Sequence, residues 1–315
     1  MEKLLPFVFF LIGCLSFASP YPISPRPLRL LVSESEHIVF GHVVKIEVKD
    51  LIRKKKVYDT KTTAVIVVKE RLQGTITEDT IRIDFRPNMI CPASDMYYEN
   101  FNVLAFLDGK NGNYSTHALS YGSKTLIEAE DYSIYKQRIV EMQLILKNPD
   151  KITQLKETIE WFVKCAENDI TRWEGTYELS PQSDFMSMYS KEKFTNYEIL
   201  LSKEQKQRLK GSLLQSAGTP YFDLGLLDLV YLGNEDELDV VLLCQLKEVI
   251  DDTEYWTILD YMQRLVHLND SDAANSCIAQ MTKYMDDYLA RNKNQEEMNA
   301  IRLKFIGLVE NPQKN

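Results

Sequence analysis

The sequence lacks the residue groupings that enzymes place at a catalytic centre. Its 315 residues include only 12 glycines and 4 histidines, and no glycine-rich loop of the phosphate-binding kind is present. The stretch Ser120-Tyr121-Gly122-Ser123 does not have the flanking glycines of a nucleophile elbow. We therefore predict that the protein is not an enzyme and uses no cofactor.

Metal-ligand spacing is also missing. His37 and His42 lie five residues apart on a predicted strand, and an odd spacing on a strand sends two side chains to opposite faces. His117 and His267 stand alone in the sequence. All four are therefore interpreted as surface histidines, and no metal site is predicted.

Only one long apolar run occurs, and it lies at the start of the chain. A charged beginning, apolar residues from Leu4 to Phe17 and a small residue at Ala18 are typical of a secretory signal peptide over residues 1–18. The run is too short to span a bilayer, so a secreted or periplasmic protein is predicted. The alternative is a lipoprotein, because Leu11-Ile12-Gly13-Cys14 resembles a lipobox; only lipidation at Cys14 would then bring the protein to the membrane.

Export permits disulfide bonds between the remaining cysteines. They are even in number, which allows three full pairings: Cys91, Cys165, Cys244 and Cys277. We take Cys91 and Cys165 as the candidate pair, on the condition that the helix carrying Cys165 packs against the preceding strands. Cys244 and Cys277 lie in apolar helical faces and fit free buried thiols equally well.

The formal net charge of −9 is unevenly distributed. Residues 19–126 contain 15 Lys and Arg against 12 Asp and Glu, whereas residues 127–315 contain 21 against 33. An acidic half would be repelled by phosphates, so we predict that the protein does not bind nucleic acid.

The first half alternates apolar and polar residues with the two-residue period of strands. The pattern begins at Ile38–Val48, which bends at Gly41, and continues in four further segments: Thr62–Val68, Thr80–Phe85, Phe101–Leu107 and Tyr114–Leu119. Short strands at this spacing indicate a small barrel or sandwich. Between the first two strands, the polar connection Lys49–Thr60 carries the basic run Arg53, Lys54, Lys55 and Lys56, interpreted as a solvated hairpin loop or as a contact for an anionic partner.

Several of these segments resemble the netrin-like module. The residues that carry the resemblance are Val39-Phe40-Gly41-His42-Val43, Leu72-Gln73-Gly74, Ile90-Cys91-Pro92, Val103–Leu107 and Tyr114. The module is the OB-type barrel that also forms the amino-terminal part of tissue inhibitors of metalloproteinases. Those inhibitors use an amino-terminal cysteine on the zinc of the enzyme, which cleavage before Ser19 does not supply, and Glu99-Asn100 replaces the glycine usual before the Val103 strand. The resemblance implies an extracytoplasmic binding or scaffolding barrel over residues 19–126.

The second half has the period of amphipathic helices from Gly122 onward. Asp131 is predicted to cap the first helix, Pro149-Asp150 to separate it from the next, and Ser202 with Gln205 to form a capping box. Short polar turns between such helices indicate a bundle or an irregular α-solenoid over residues 127–315. The fold class is therefore α+β: a small OB-type β-barrel followed by an all-α domain.

The stretch from Asn168 to Asn196 is rich in aromatic residues and lacks a clear period. Its best candidates for contact with a partner, by composition, are four aromatic residues: Trp173, Tyr177, Phe185 and Tyr189. Packing between the two halves is the alternative interpretation. The expected function is that of an exported, non-enzymatic protein-binding or scaffolding protein with an extracytoplasmic protein as its partner. The alternative is an inhibitor or regulator of a secreted hydrolase that acts through the barrel edge.

Overall fold

The structure is α+β, with strands in the first part of the chain and helices after them. It is a computed structural model that describes residues 23–53, 56–89, 93–190, 193–215, 224–231, 236–248, 255–285 and 294–311. The predicted signal segment, Cys14, Lys54, Lys55 and Cys91 lie outside the described residues. The chain divides into a barrel unit, up to Gln154 together with Phe185–Lys193, and a helical unit, Leu155–Asp184 together with the chain from Phe194.

The barrel unit consists of a short first helix, six strands and a second helix. Their bounds are α1 Leu28–Glu34, β1 His37–Arg53, β2 Lys56–Gln73, β3 Thr80–Phe85, β4 Asn102–Lys110, β5 Asn113–Thr116, β6 Ser123–Leu126 and α2 Ala129–Leu146. The boundary drawn from the sequence at residue 126 assigned α2 to the helical domain, whereas the structure groups it with the barrel.

Five of the strands close into a barrel in the order β1-β2-β3-β5-β4. The ring closes because β4 pairs back onto β1 from His37↔Leu107 to His42↔Asn102. β3 and β5 are parallel and the other pairs are antiparallel. Strand β6 lies beside the first half of β4. The strand pattern left a barrel or a sandwich open, and the structure has a closed five-stranded barrel, consistent with the OB type that the resemblance implies.

The strand β4 is buried on both faces. Val103, Ala105 and Leu107 belong to the core inside the barrel. Leu104 and Phe106 point the other way by alternation and are also fully buried. Helices α1 and α2 pack against each other, and α2 also packs against β2 and β6. The buried residues of the two helices are Leu28, Leu31, Val32, Tyr135, Ile139 and Met142. Double burial explains why β4 has an almost continuous apolar sequence.

The bend predicted at Gly41 is present. The β1–β2 register shifts between Phe40 and Gly41, and a Cβ atom on Gly41 would lie 2.5 Å from Cγ2 of Ile66 and 2.7 Å from the carbonyl oxygen of Val67. β1 can therefore cross β2 this closely only with glycine at the bend.

Two expectations about the start of the helical period were wrong. Strand β6 follows Gly122 directly, so the change from strand to helix comes later in the chain. Helix α2 begins at Ala129 with Glu128 as its N-cap, not with Asp131. Asp131 is the third helical residue and accepts the backbone N–H of Glu128 at 3.0 Å, which completes a capping box. The helix therefore begins earlier in the chain than the predicted cap at Asp131 indicated.

Helices make up the helical unit. Their bounds are α3 Lys151–Ala166, which begins in the barrel unit, α4 Arg172–Leu179, α5 Lys203–Gln215, α6 Leu224–Val230, α7 Asp236–Glu248, α8 Tyr255–Leu265, α9 Asp272–Met285 and α10 Gln295–Glu310. Consecutive helices pack together, for example α5 with α6 and α9 with α10. The capping box predicted for α5 is confirmed: Gln205 N–H donates to Oγ of Ser202 at 3.2 Å and Ser202 N–H to Oε1 of Gln205 at 2.9 Å. None of the described helices combines the length and apolar character that crossing a membrane requires.

Candidate functional site

The β1–β2 hairpin extends beyond the barrel. Strand β3 follows β2 only as far as the pair Thr62↔Phe85, but β1 and β2 continue to pair with each other from Lys49↔Lys61 to Arg53↔Lys56. Five residue pairs in extended conformation reach about 15 Å past the barrel. This two-stranded projection, residues 49–61, is called the hairpin arm below.

The two ends of the basic run, Arg53 and Lys56, are the last described pair of the hairpin arm. Lys54 and Lys55 lie outside the described residues, so a solvated loop or a contact at this run stays a prediction. The expectation of a polar connection over Lys49–Thr60 was wrong, because most of these residues are strand. Their own apolar content, including Leu51, Ile52 and Val57, is the signal for strand that the charged neighbours obscured.

The hairpin arm is strongly cationic in an acidic chain. Residues 49–61 contain six Lys and Arg (Lys49, Arg53, Lys54, Lys55, Lys56 and Lys61) against two acidic residues (Asp50 and Asp59), a formal charge of +4, whereas the whole chain carries −9. A local field of this sign attracts anionic groups and raises their rate of encounter.

Two ion pairs from β3 hold the root of the hairpin arm. Arg82 binds Glu47 of β1, and Asp84 accepts Nζ of Lys61 of β2 at 2.6 Å. The hydrogen bond from Arg82 lowers the pKa of the Glu47 carboxyl. Burial raises the pKa of Asp84, but hydrogen bonds from Lys61 and Thr63 outweigh it and the net shift is downward. Both carboxylates thus stay charged at neutral pH, and each strand of the arm is fixed to the barrel.

The outer edge of β1 changes partner along its length. From His37 to His42 it pairs with β4, and Val43 then bonds to the loop before β4 through Phe101 and Asn100, at 2.9 and 2.8 Å. The N–H of Ile46 donates to Oε2 of Glu99 at 3.0 Å. Beyond Ile46 no described residue pairs with this edge. Sequence analysis missed Glu99 in this role, since nothing local indicates its contact with β1.

The four histidines are not alike, and the surface assignment of His37 was wrong. His37 is buried, with 5% of its surface exposed. Its Nε2–H donates to the carbonyl oxygen of Gly109 at 2.8 Å and its Nδ1 accepts the N–H of Thr75 at 3.1 Å. It therefore acts as a neutral cross-link between the start of β1 and two loops. His42 is half-buried and bonds to Oδ1 of Asn102 at 3.1 Å.

His117 and His267 are each held by carboxylates. His117 lies 2.7 Å from Oδ2 of Asp108 and 3.3 Å from Oε2 of Glu34. His267 lies between Oδ2 of Asp239 and the carbonyl oxygen of Arg264, at 2.9 and 2.8 Å. Within the described parts of the chain, no three His, Cys, Asp or Glu residues are placed to hold a metal ion. These contacts tie neighbouring elements together and present no reactive group to a substrate.

A groove of about 570 Å³ lies between α1, the end of β2 and α2. Its lining combines Val32, Leu72 and Leu146 with polar residues. The polar residues of its floor bond to one another, since Nε2 of Gln143 donates to Oε1 of Gln73 at 3.0 Å and Nε2 of Gln73 donates to the carbonyl oxygen of Ser35 at 2.7 Å. Because the side-chain N–H groups of both glutamines already have partners, the groove offers a ligand fewer specific contacts than the hairpin arm.

The predicted aromatic surface is divided between the two units. Trp173 and Tyr177 lie on α4 of the helical unit, and their rings are 5.3 Å apart. Trp173 is half-buried and its Nε1–H donates to Asp184 at 2.7 Å, whereas Tyr177 is buried. Phe185 and Tyr189 bound a short 3₁₀ segment that groups with the barrel unit. A binding role for these residues stays a prediction, with Trp173 the more accessible of the α4 pair.

The cysteine pairing stays a prediction as well. Cys165 is buried in α3, and its carbonyl oxygen accepts Oγ1–H of Thr171 at 3.0 Å. Its predicted partner Cys91 lies outside the described residues. Cys277 is buried as its apolar helical face predicts, and burial raises the pKa of its thiol. Cys244 is exposed, contrary to the expectation of a buried thiol.

Comparison with known proteins does not assign the chain to a family. No protein-family model matches it, and no curated protein does either. The argument for function therefore depends on the geometry of the barrel and the hairpin arm.

Proposed function

We propose that this is an exported, non-enzymatic protein-binding or scaffolding protein that docks its partner with the hairpin arm. The observation that carries the proposal is a cationic two-stranded projection fixed to a closed barrel by ion pairs at its root. A rigid support lowers the entropy lost when such an element binds. The resemblance to the netrin-like module supports the same role, since it implies a binding barrel outside the cytoplasm.

The test compares capture of partners from the native cell envelope by three forms of the full mature chain. One is the wild type, one (the tip variant) carries Arg53→Glu, Lys54→Glu, Lys55→Glu and Lys56→Glu, and the control carries Lys151→Glu, Lys156→Glu, Lys203→Glu and Lys283→Glu. Both variants have the same change of net charge. We expect a partner that the wild type and the control retain and the tip variant loses. Retention of the same proteins by all three would refute a role for the arm.

A second function is favoured by the shape of the arm. A two-stranded ribbon is narrow enough to enter the substrate cleft of a secreted hydrolase, so the protein could inhibit such an enzyme. In that case the tip variant would lose inhibition of a captured hydrolase while the control keeps it. Turnover of any substrate that is abolished by removing one carboxylate or cysteine would contradict both functions.

A further inference from the structure

The outer edge of β1 has a definite pattern of backbone groups. The N–H and C=O of Val43 point away from β2 and bond to Phe101 and Asn100. The N–H of Ile46 points the same way and bonds to the side chain of Glu99. The residues with outward groups change from odd to even numbers because the β1–β2 register shifts between Val43 and Lys45. Because outward groups alternate along an antiparallel strand, the N–H and C=O of Val48 and Asp50 face the same side as the N–H of Ile46.

These backbone groups are available for pairing. Val48 and Asp50 lie opposite Thr62 and Thr60 of β2 in the register, but their N–H and C=O face away from β2. No described residue bonds to these outward groups. Both residues are exposed, Val48 with 66% of its surface. An exposed strand edge of this kind is a template for another extended chain.

Charge and an internal contact indicate what kind of chain the edge accepts. The hairpin arm carries a formal +4 with its own Asp50 and Asp59 counted. The carboxylate of Asp50 accepts Oγ1–H of Thr60 at 3.4 Å, and that of Glu47 is paired with Arg82. The first outward N–H after Val43, that of Ile46, is bonded to the carboxylate of Glu99. The protein itself thus places an acidic side chain against this edge, immediately before the two unpaired positions.

We propose that an extended acidic segment of a partner protein adds to β1 as a further strand along Val48 and Asp50, in continuation of the Glu99 contact. This inference rests on the proposed function and specifies its partner. Backbone bonding distinguishes the occupant from a lipid surface or a polynucleotide, neither of which offers the regular N–H and C=O groups of a strand.

The probe is a fluorescent heptapeptide of alternating Glu and Val, with the corresponding Lys and Val peptide as its control. Fluorescence anisotropy with the full mature chain should show binding at least tenfold tighter for the acidic peptide. Val48→Pro removes the outward N–H and leaves the pairing with β2, because proline is tolerated on an edge strand. We expect about tenfold weaker binding for Val48→Pro and no change for Val48→Ala, which keeps the N–H.

Amide hydrogen exchange of the wild type tests the same geometry without a substitution. Added acidic peptide should slow exchange at Val48 and Asp50 about tenfold and leave Lys49, whose N–H faces β2, nearly unchanged. Equal affinity of Val48→Pro and Val48→Ala, with no change in exchange, would overturn strand addition. So would full competition by an oligonucleotide of equal charge, which would indicate binding by charge alone.

The result for the native partner separates this inference from the proposed function. If the tip variant loses the partner and Val48→Pro retains it, docking through the arm stands and strand addition is wrong. If neither variant loses any partner, both proposals fail. Loss of the partner by both the tip variant and Val48→Pro, with retention by Val48→Ala, supports both proposals.

Discussion

At the scale of single residues, several buried polar side chains of the barrel unit have partners that the local sequence does not reveal. His37 was interpreted as a surface residue because its spacing from His42 does not suit a metal site. Asp95 is another example, since it is only 3% exposed and accepts hydrogen bonds from Ser94, at 2.7 Å, and from Thr116. Apart from Ser94, their partners lie 21 to 72 residues away in sequence, so no spacing rule indicates them.

Replacing His37 should destabilise the protein without affecting partner binding. His37→Ala leaves the N–H of Thr75 and the carbonyl of Gly109 without their buried partner, which costs about 2 kcal/mol of unfolding free energy. Denaturant unfolding monitored by circular dichroism measures it. His42→Ala, at a half-buried site, serves as the control and should cost less than about 1 kcal/mol. Equal losses would show that His37 is not a specific cross-link.

Glu70 should make the stability of the barrel unit depend on pH. Hydrogen bonds from Lys136 and then Tyr132 lower its pKa from 4.5, so the folded state binds this proton less readily than the unfolded state. The resulting stability is present above the unfolded pKa and is lost as pH falls through the folded pKa. Because the pair is partly exposed, Glu70→Gln should cost about 1 kcal/mol or less at pH 7.

The measurement is the melting temperature of wild type and Glu70→Gln between pH 7 and pH 3. The difference between the two should be largest near neutral pH and should shrink below about pH 4.5. Glu248→Gln, an exposed site with the same change of charge, should show no such trend. A constant difference across the range would contradict a lowered pKa of Glu70 in the folded protein.

At the scale of elements, the sequence predicts type and order better than ends. Strand β3 and the start of α5 lie where alternation and the capping box put them. The hairpin arm was missed because its charges resemble a loop, although its apolar residues continue the strand. Helix α4 was missed because it is too short to show a period and is buried on nearly all sides. Burial of that kind depends on neighbouring helices and not on local pattern.

The packing of α4 on α3 depends on Gly175. A Cβ atom there would collide with the carbonyl oxygen of Phe162 and the backbone nitrogen of Ala166, so Gly175→Ala should cost about 1–3 kcal/mol through forced separation of the helices. Gly211 in α5 has open space around it, and Gly211→Ala should raise stability by about 0.5–1 kcal/mol. Thermal unfolding of both variants provides the comparison, and two changes of the same sign would contradict close α3–α4 contact.

At the scale of the whole molecule, the predicted signal peptide can be tested by its processing. If residues 1–18 are removed as predicted, the intact mass of the native protein should begin at Ser19. Mass measured with and without alkylation also counts disulfides, and a chain four protons light would contain two. A mass that begins at Cys14 and includes acyl chains would instead establish the lipoprotein alternative and direct the search for partners to the membrane surface.

The double burial of β4 has a consequence for the cooperativity of unfolding. One face of the strand contributes Val103, Ala105 and Leu107 to the barrel interior, and the other carries Leu104 and Phe106, which are also fully buried. Opening of the barrel would expose both faces of β4 to water and would remove β2 and β6, the strands on which α2 packs. The barrel and α2 should therefore unfold together as one cooperative unit, and this unit is the base from which the hairpin arm projects.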